Sequence, residues 1–184
     1  MMTKKSGNYF SKSLFSILLA LSLNVSVQAG TPLFSSFAGK PVEIGDYIAD
    51  DKWLLVMIWA SDCHICNREA HAYVDFHFKH EESNARVLGI SIDGQAKKEE
   101  AKLFIKRHEI NFPNIISEPD KLAVWFEKLT GQSWMGTPTL LVYSPEGELK
   151  VQQIGAIPLD LVEKFIQRES ARKTVAVDTS IQVK

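Results

Sequence analysis

Residues 53–59 are seven consecutive apolar positions, Trp53, Leu54, Leu55, Val56, Met57, Ile58 and Trp59. The run has no polar alternation, is too short for a solitary helix and is rich in strand formers. It predicts a strand buried on both faces, as in a mainly parallel sheet covered by helices. A second core strand is predicted over 86–92, closed by Asp93 and Gly94, and shorter ones over 112–116 and 139–143. Between them the period changes to that of helices. One begins near Cys66 and runs to about 79, with Ala70, Tyr73, Val74, Phe76 and Phe78 as its apolar positions. A second spans 97–108 with Ala101, Phe104 and Ile105 inward and lysines outward. A third spans 121–129, burying Leu122, Val124, Trp125, Phe126 and Leu129, and Gly131 ends it.

Before the core strand, residues 31–50 read as an opening β element with a turn at Gly39-Lys40-Pro41, a strand over 42–44 and a helical turn at 45–47. After Tyr143, Ser144-Pro145-Glu146-Gly147 is a hairpin turn whose partner strand spans 148–154. Residues 159–168 form a final amphipathic helix. From 171 to 184 the periodicity weakens, and a flexible tail with a brief strand at 175–177 is expected. Strands alternating with helices and closed by an antiparallel hairpin describe an α/β sandwich.

Composition narrows this little. The chain has 184 residues, 45% hydrophobic and 23% charged, with a net charge of −1, which is one ordinary domain with no basic excess for nucleic acid. The N-terminus changes the picture more. Lys4, Lys5 and Lys12 precede an apolar segment over 14–27, which ends in the small-x-small site Val27-Gln28-Ala29. The segment is shorter than the ~20 residues of a spanning helix and carries Ser16, Ser22, Asn24 and Ser26. Residues 1–29 therefore read as an export signal cleaved after Ala29, leaving a domain over 30–170. Cleavage removes three lysines and no acid, taking the net charge to −4. Export leads to a compartment where disulfides persist, read here as the periplasm.

The two cysteines of the chain, Cys63 and Cys66, directly follow the core strand and open the first helix. A thiol at a helix start faces free N–H groups and the positive end of the helix dipole, which favours its thiolate. Cys63 is placed to attack a disulfide, and Cys66, one turn later, to resolve the mixed disulfide. His64, when protonated, stabilises the thiolate, whereas Asp62 opposes it. Glu69 follows Cys66 by three residues and is a candidate proton acceptor, with stabilisation of the helix dipole as the alternative.

Four pieces together resemble the thioredoxin-fold family, and within it the exported TlpA/ResA-like thiol–disulfide oxidoreductases. They are Gly39-Lys40-Pro41-Val42 with Asp46-Tyr47, the stretch from Trp59 to Cys66, the segment 95–118 as an inserted β-α unit, and Gly136-Thr137-Pro138-Thr139 followed by Ser144-Pro145-Glu146-Gly147. The resemblance implies a central mixed sheet flanked by helices. It implies Cys63 as attacking thiol, Cys66 as resolving thiol, Glu69 beside them and Pro138 as a cis-proline facing the disulfide. Thr137 would supply backbone for the substrate. Trp59 and Trp134, by their own positions, are read as lining the site rim, with plain core packing as the alternative. The sequence departs from the family pattern at Asp62, where tryptophan is usual, and at Met57, where thioredoxin has a buried aspartate. It departs again at His71, where many relatives have proline.

The resemblance implies a monomeric reductase of protein disulfides fed by an upstream, membrane-bound thiol donor, without a cofactor, with cytochrome c maturation as one setting. Two other readings use the same residues. In one, Cys63 and Cys66 bind copper with a histidine. His71, His77 and His80 follow His64 within one helical stretch, but His77 and His80 are read as a solvated helix face. In the other, the chain is a redox-inert binding module that presents the Thr137-Pro138 loop.

Overall fold

The structure is a computed structural model and describes residues 32–182, with side chains as far as Lys173. The expected export signal and its cleavage site lie outside the described residues. The described residues form one compact unit. Its strands are β1 (Phe34–Ser36), β2 (Pro41–Val42), β3 (Trp53–Trp59), β4 (Ala85–Ser91), β5 (Asn114–Ile116), β6 (Thr139–Tyr143) and β7 (Leu149–Ile154). They form one mixed sheet in the order β2-β1-β5-β4-β3-β6-β7. β3 runs parallel to β4 and antiparallel to β6, so the apolar run of the sequence is an interior strand of the sheet. Four helices cover the sheet: α1 (His64–His80), α2 (Lys98–Arg107), α3 (Pro119–Thr130) and α4 (Leu159–Gln182).

Alternate residues of β3 explain why the run shows no polar position. Trp53, Leu55, Met57 and Trp59 pack with Ala70, Tyr73 and Phe76 of α1, Phe104 of α2 and Val162 and Ile166 of α4. Leu54, Val56 and Ile58 pack on the other face with Leu122 and Phe126 of α3 and with Phe34 and Ile44. Each large apolar side chain taken out of water there is worth ~1.5–3 kcal/mol.

Local chemistry sets the helix ends. Pro119 occupies the first turn of α3, where its missing N–H costs nothing, and Gly131 takes the left-handed conformation that stops the helix, with φ 71°. In β4, which lies between β3 and β5, the side chains of Asn114 and Trp59 leave room only for glycine at residue 89. A Cβ there would lie 1.9 Å from Asn114 Oδ1 and 2.9 Å from Trp59 Nε1, the two atoms of the hydrogen bond that ties β3 to β5.

Several expectations need correcting. Val124 and Leu129 of α3 are exposed, as is Phe78 of α1, at 77%. Only Leu122 and Phe126 of α3 are buried. The expected strand over 42–44 is limited to Pro41–Val42, because Ile44–Tyr47 already forms a 3-10 turn. The last helix does not stop near 168. It continues to Gln182, and residues 175–177 are helical rather than a strand. Trp53 Nε1 donates to Ser170 Oγ at 3.1 Å and Lys173 pairs with Glu146, contacts that hold the helix over the β6–β7 turn. His77 and His80 are not a solvated face. Both are buried, His77 Nδ1 accepting the Val87 N–H at 3.1 Å and His80 Nδ1 lying 3.2 Å from Asn84 Oδ1. β5 begins only opposite Gly89, so the Val87 N–H has no strand partner on that side. A histidine on α1 supplies the acceptor.

Candidate active site

The cysteines occupy the turn between the end of β3 and the start of α1, and they are joined by a disulfide with Cα atoms 5.2 Å apart. Cys63 is the N-cap of α1, a place usually held by Ser, Thr, Asp or Asn. Its Sγ takes the capping role, accepting the Cys66 N–H at 3.1 Å. A donor aimed at the sulfur stabilises the negative charge that a thiolate would carry there. Cys63 is half-buried, whereas Cys66 is wholly buried against the α1 side of the core. The two sulfurs therefore differ in access: Cys63 can be reached from solvent, and Cys66 lies behind it.

The turn carrying Cys63 is braced from below by Asp93, just beyond β4. Its carboxylate accepts the Ser61 N–H at 3.0 and 3.2 Å, the Ser61 hydroxyl at 2.7 Å and the Ser91 hydroxyl at 2.7 Å. Asn67 braces it from the helix side. Its Nδ2 donates to Ser61 O at 3.1 Å and to Cys63 O at 2.9 Å, and its Oδ1 faces His108 Nε2 at 2.9 Å. The sequence reading missed Asp93, Asn67 and His108. In the sequence Asp93 reads only as the closing turn of a strand, although an acid at the carboxyl end of the neighbouring parallel strand is where α/β sheets gather their sites.

Asp62 is exposed and ion-paired with Lys97, 2.9 Å away. The hydrogen bond from Lys97 holds the Asp62 carboxyl below the usual carboxylate range, and Asp62 raises Lys97 in return. The expected opposition of Asp62 to the Cys63 thiolate is thus largely offset by a cation just ahead of α2. His64 points to solvent. Met57 is fully buried in the same cluster as Cys66, so an apolar thioether fills the position of the absent aspartate.

Pro138 follows a cis peptide bond with Thr137. Thr139 is paired with Ile58, which places Pro138 one step further along, beside the end of β3 that carries the cysteines. The loop is tied back on itself: Thr139 Oγ1 donates to Gly136 O at 2.6 Å and accepts from Trp134 Nε1 at 3.2 Å. Met135, unremarked in the sequence, projects from this loop 78% exposed. Trp59 does not line the rim. It is 1% exposed and stacked on Phe104, ring centroids 4.2 Å apart, because α2 covers the end of β3. Glu69 is half-exposed on α1, one turn beyond Cys66, and no hydrogen bond joins the two. It faces Tyr73, whose hydroxyl is raised by burial and by that carboxylate.

The histidines do not gather with the cysteines. His64 and His71 are exposed, and His77 and His80 are engaged in the core. Among the described residues no group of three or more histidine, cysteine, aspartate or glutamate side chains is disposed to hold a metal ion.

Residues 27–152 match the AhpC/TSA family. The fold is similar to several solved structures. A thiol:disulfide interchange protein of the thioredoxin family from Chlorobium tepidum is 20% identical, with a TM-score of 0.60 over 72% of this chain and 88% of that one. StoA from Bacillus subtilis is 16% identical, with a TM-score of 0.55 over 72% and 92%. A secreted Mycobacterium tuberculosis disulfide oxidoreductase homologous to E. coli DsbE is 16% identical, with a TM-score of 0.57 over 73% and 92%. At these identities the likeness speaks for the fold.

Proposed function

Since the chain belongs to the AhpC/TSA family, we propose that its Cys63–Cys66 pair reduces disulfides in protein substrates after export to the periplasm, with apocytochrome c as one substrate class. The enzyme is a thioredoxin-like thiol–disulfide oxidoreductase. The observation that carries the reading is the asymmetry of the pair: a reachable Cys63 whose sulfur is capped by a helix N–H, backed by a buried Cys66.

In the reduced enzyme the Cys63 thiolate attacks one substrate sulfur. The substrate disulfide breaks, one substrate thiolate leaves and takes up a proton, and a Cys63–substrate disulfide forms. Cys66 then gives up its proton, for which Glu69, the next carboxylate along the helix, is the acceptor through water in this reading, and attacks Cys63 Sγ. The second substrate thiolate leaves and takes up that proton, and the Cys63–Cys66 disulfide of this structure is restored. Two electrons and two protons reach the substrate, and an upstream dithiol, membrane-bound in this reading, returns the enzyme to its reduced form. The Thr137-Pro138 loop lies beside the end of β3 that leads into the cysteines, where it would meet a substrate segment, and the exposed Met135 offers an adaptable apolar contact to an unfolded segment. The Lys97 pairing of Asp62 favours a reactive Cys63 by removing an opposing charge.

Turnover of insulin or a model disulfide with a thiol donor tests this. Wild type is expected to catalyse it, Cys63→Ser to be inactive, and Cys66→Ser to accumulate the mixed disulfide. The reduction potential is expected nearer ~−270 mV than ~−120 mV, and the exported chain is expected to begin at Gly30 by mass. Retained activity in Cys63→Ser would refute the proposal. Inactivity of the wild type together with stoichiometric Cu(I) binding would favour the copper reading instead.

A further inference from the structure

Asn67 Nδ2 lies within hydrogen-bond reach of two carbonyl oxygens, Ser61 O and Cys63 O, which only accept. The nitrogen of the amide must therefore face them, and Oδ1 must face α2. There it meets His108 Nε2 at 2.9 Å and Arg107 Nη1 at 3.5 Å. Since Oδ1 only accepts, His108 carries its proton on Nε2, and Nδ1 is the bare nitrogen of a neutral ring. Nδ1 is buried with no hydrogen-bond partner. His108 itself is buried, packed on Phe104 with ring centroids 4.5 Å apart and edge-on to His71 at 5.5 Å.

We propose that His108 is a positioning residue for Cys63, holding the Asn67 amide in the one orientation that clamps the carbonyls on either side of the Asp62-Cys63 peptide segment. The inference rests on Cys63 being the attacking thiol, as argued above, and adds a group supplied by the helix inserted after β4. The clamp acts on the sulfur through the backbone. It fixes the Cys63 backbone at φ −74° and ψ 110°, the N-cap geometry in which Sγ accepts the Cys66 N–H. Loss of the His108 donor frees the amide to turn and destabilises the charged sulfur.

The charged and titratable groups facing His108 are Arg107 of its own helix and His71 of α1. Burial, then His71 and Arg107, keep the ring below the ordinary histidine range. A proton added at Nδ1 would find no acceptor, so the neutral donor form holds near neutral pH.

The test is the pH dependence of iodoacetamide alkylation of Cys63 in a Cys66→Ser background, where Cys63 is the one thiol present. His108→Leu is expected to move the thiolate midpoint upward and to slow alkylation at pH 7 by about threefold to tenfold, the worth of one lost hydrogen bond. His108→Gln, which restores an N–H donor, is expected to return within about twofold of the parent on the same footing. Asn67→Ala should shift the profile like His108→Leu, and the double variant should be no worse than Asn67→Ala, since His108 acts through Asn67. A His108→Leu profile superimposed on the parent would overturn the proposal, whether or not the melting temperature falls. So would additive effects in the double variant, or a Gln variant no better than Leu. The readout needs no protein substrate, so it remains decisive even if disulfide turnover fails.

Discussion

Replacing Asp93 separates bracing of the active-site turn from simple burial. Its carboxylate serves three donors: the Ser61 N–H, the Ser61 hydroxyl and the Ser91 hydroxyl. In Asp93→Ala all three lose their acceptor. The half-exposed Ser61 hydroxyl can turn to water, but Ser91 is fully buried and the Ser61 N–H cannot rotate. A buried donor without a partner costs ~1–3 kcal/mol, so two of them put the loss at about 3 kcal/mol. A domain of this size loses ~2–4 °C of melting temperature per kcal/mol, giving about 6–12 °C. Asp93→Asn is milder. Its Oδ1 keeps the Ser61 N–H, a serine hydroxyl can reorient to accept from the new NH2, and the loss is the charge-assisted part of the bonds, ~1 kcal/mol. Thermal melts of the oxidised protein by circular dichroism measure both. If Asp93→Ala melts within about 2 °C of wild type, or Asn is as damaging as Ala, Asp93 is not the brace described.

Gly89→Ala drives a Cβ into the Trp59–Asn114 hydrogen bond and is expected to destabilise by ~1–3 kcal/mol. Urea unfolding followed by tryptophan fluorescence reads this, and an unchanged midpoint would refute the close approach. Stability should also fall on mild acidification. Burial holds His77 and His108 below their ordinary value, so the unfolded chain binds more protons than the folded one as pH drops below ~6.5. Melting temperature is expected to be level from pH 8 to 7, to decline from about 6.5 downward, and to decline less in His77→Gln. A level profile down to pH 5 would contradict this. The ion-paired carboxylates Asp62 and Glu163 are held low by Lys97 and Lys79, and their contributions vanish only at more acidic pH, in a separate window.

The sheet core and the reactive pair were legible because each rests on local chemistry. Seven apolar residues with no polar break leave little but a doubly covered strand, and two cysteines at a helix start carry their own electrostatics. The resemblance built on Cys63, Cys66 and Thr137-Pro138 agrees with the family match and with the fold. What escaped depends on partners distant in sequence. His77 and His80 look like a polar face until the spare N–H of Val87 and the loop at Asn84 come into place. Trp59 looks like a rim residue until Phe104, from the inserted helix, covers it. Asp93 reads as a turn, since nothing local connects it to Ser61 thirty-two residues earlier. Phe78, Val124 and Leu129 fit an apolar pattern but face solvent, because the helical period does not tell which side of a wide apolar stripe meets the sheet.

The side-chain acceptor that His77 offers to β4 has a consequence for motion. It pins the far half of α1 to the sheet, while Asn67 ties the near end to the cysteine turn and to α2. A helix fastened at both ends cannot slide or pivot when the sulfur–sulfur bond opens and closes. The turn of residues 61–63 is itself held by Asp93 and Asn67, so the displacement that accompanies each redox half-cycle is expected to fall on the two cysteine side chains, while the rest of the molecule stays a fixed anvil against which substrates meet the sulfur.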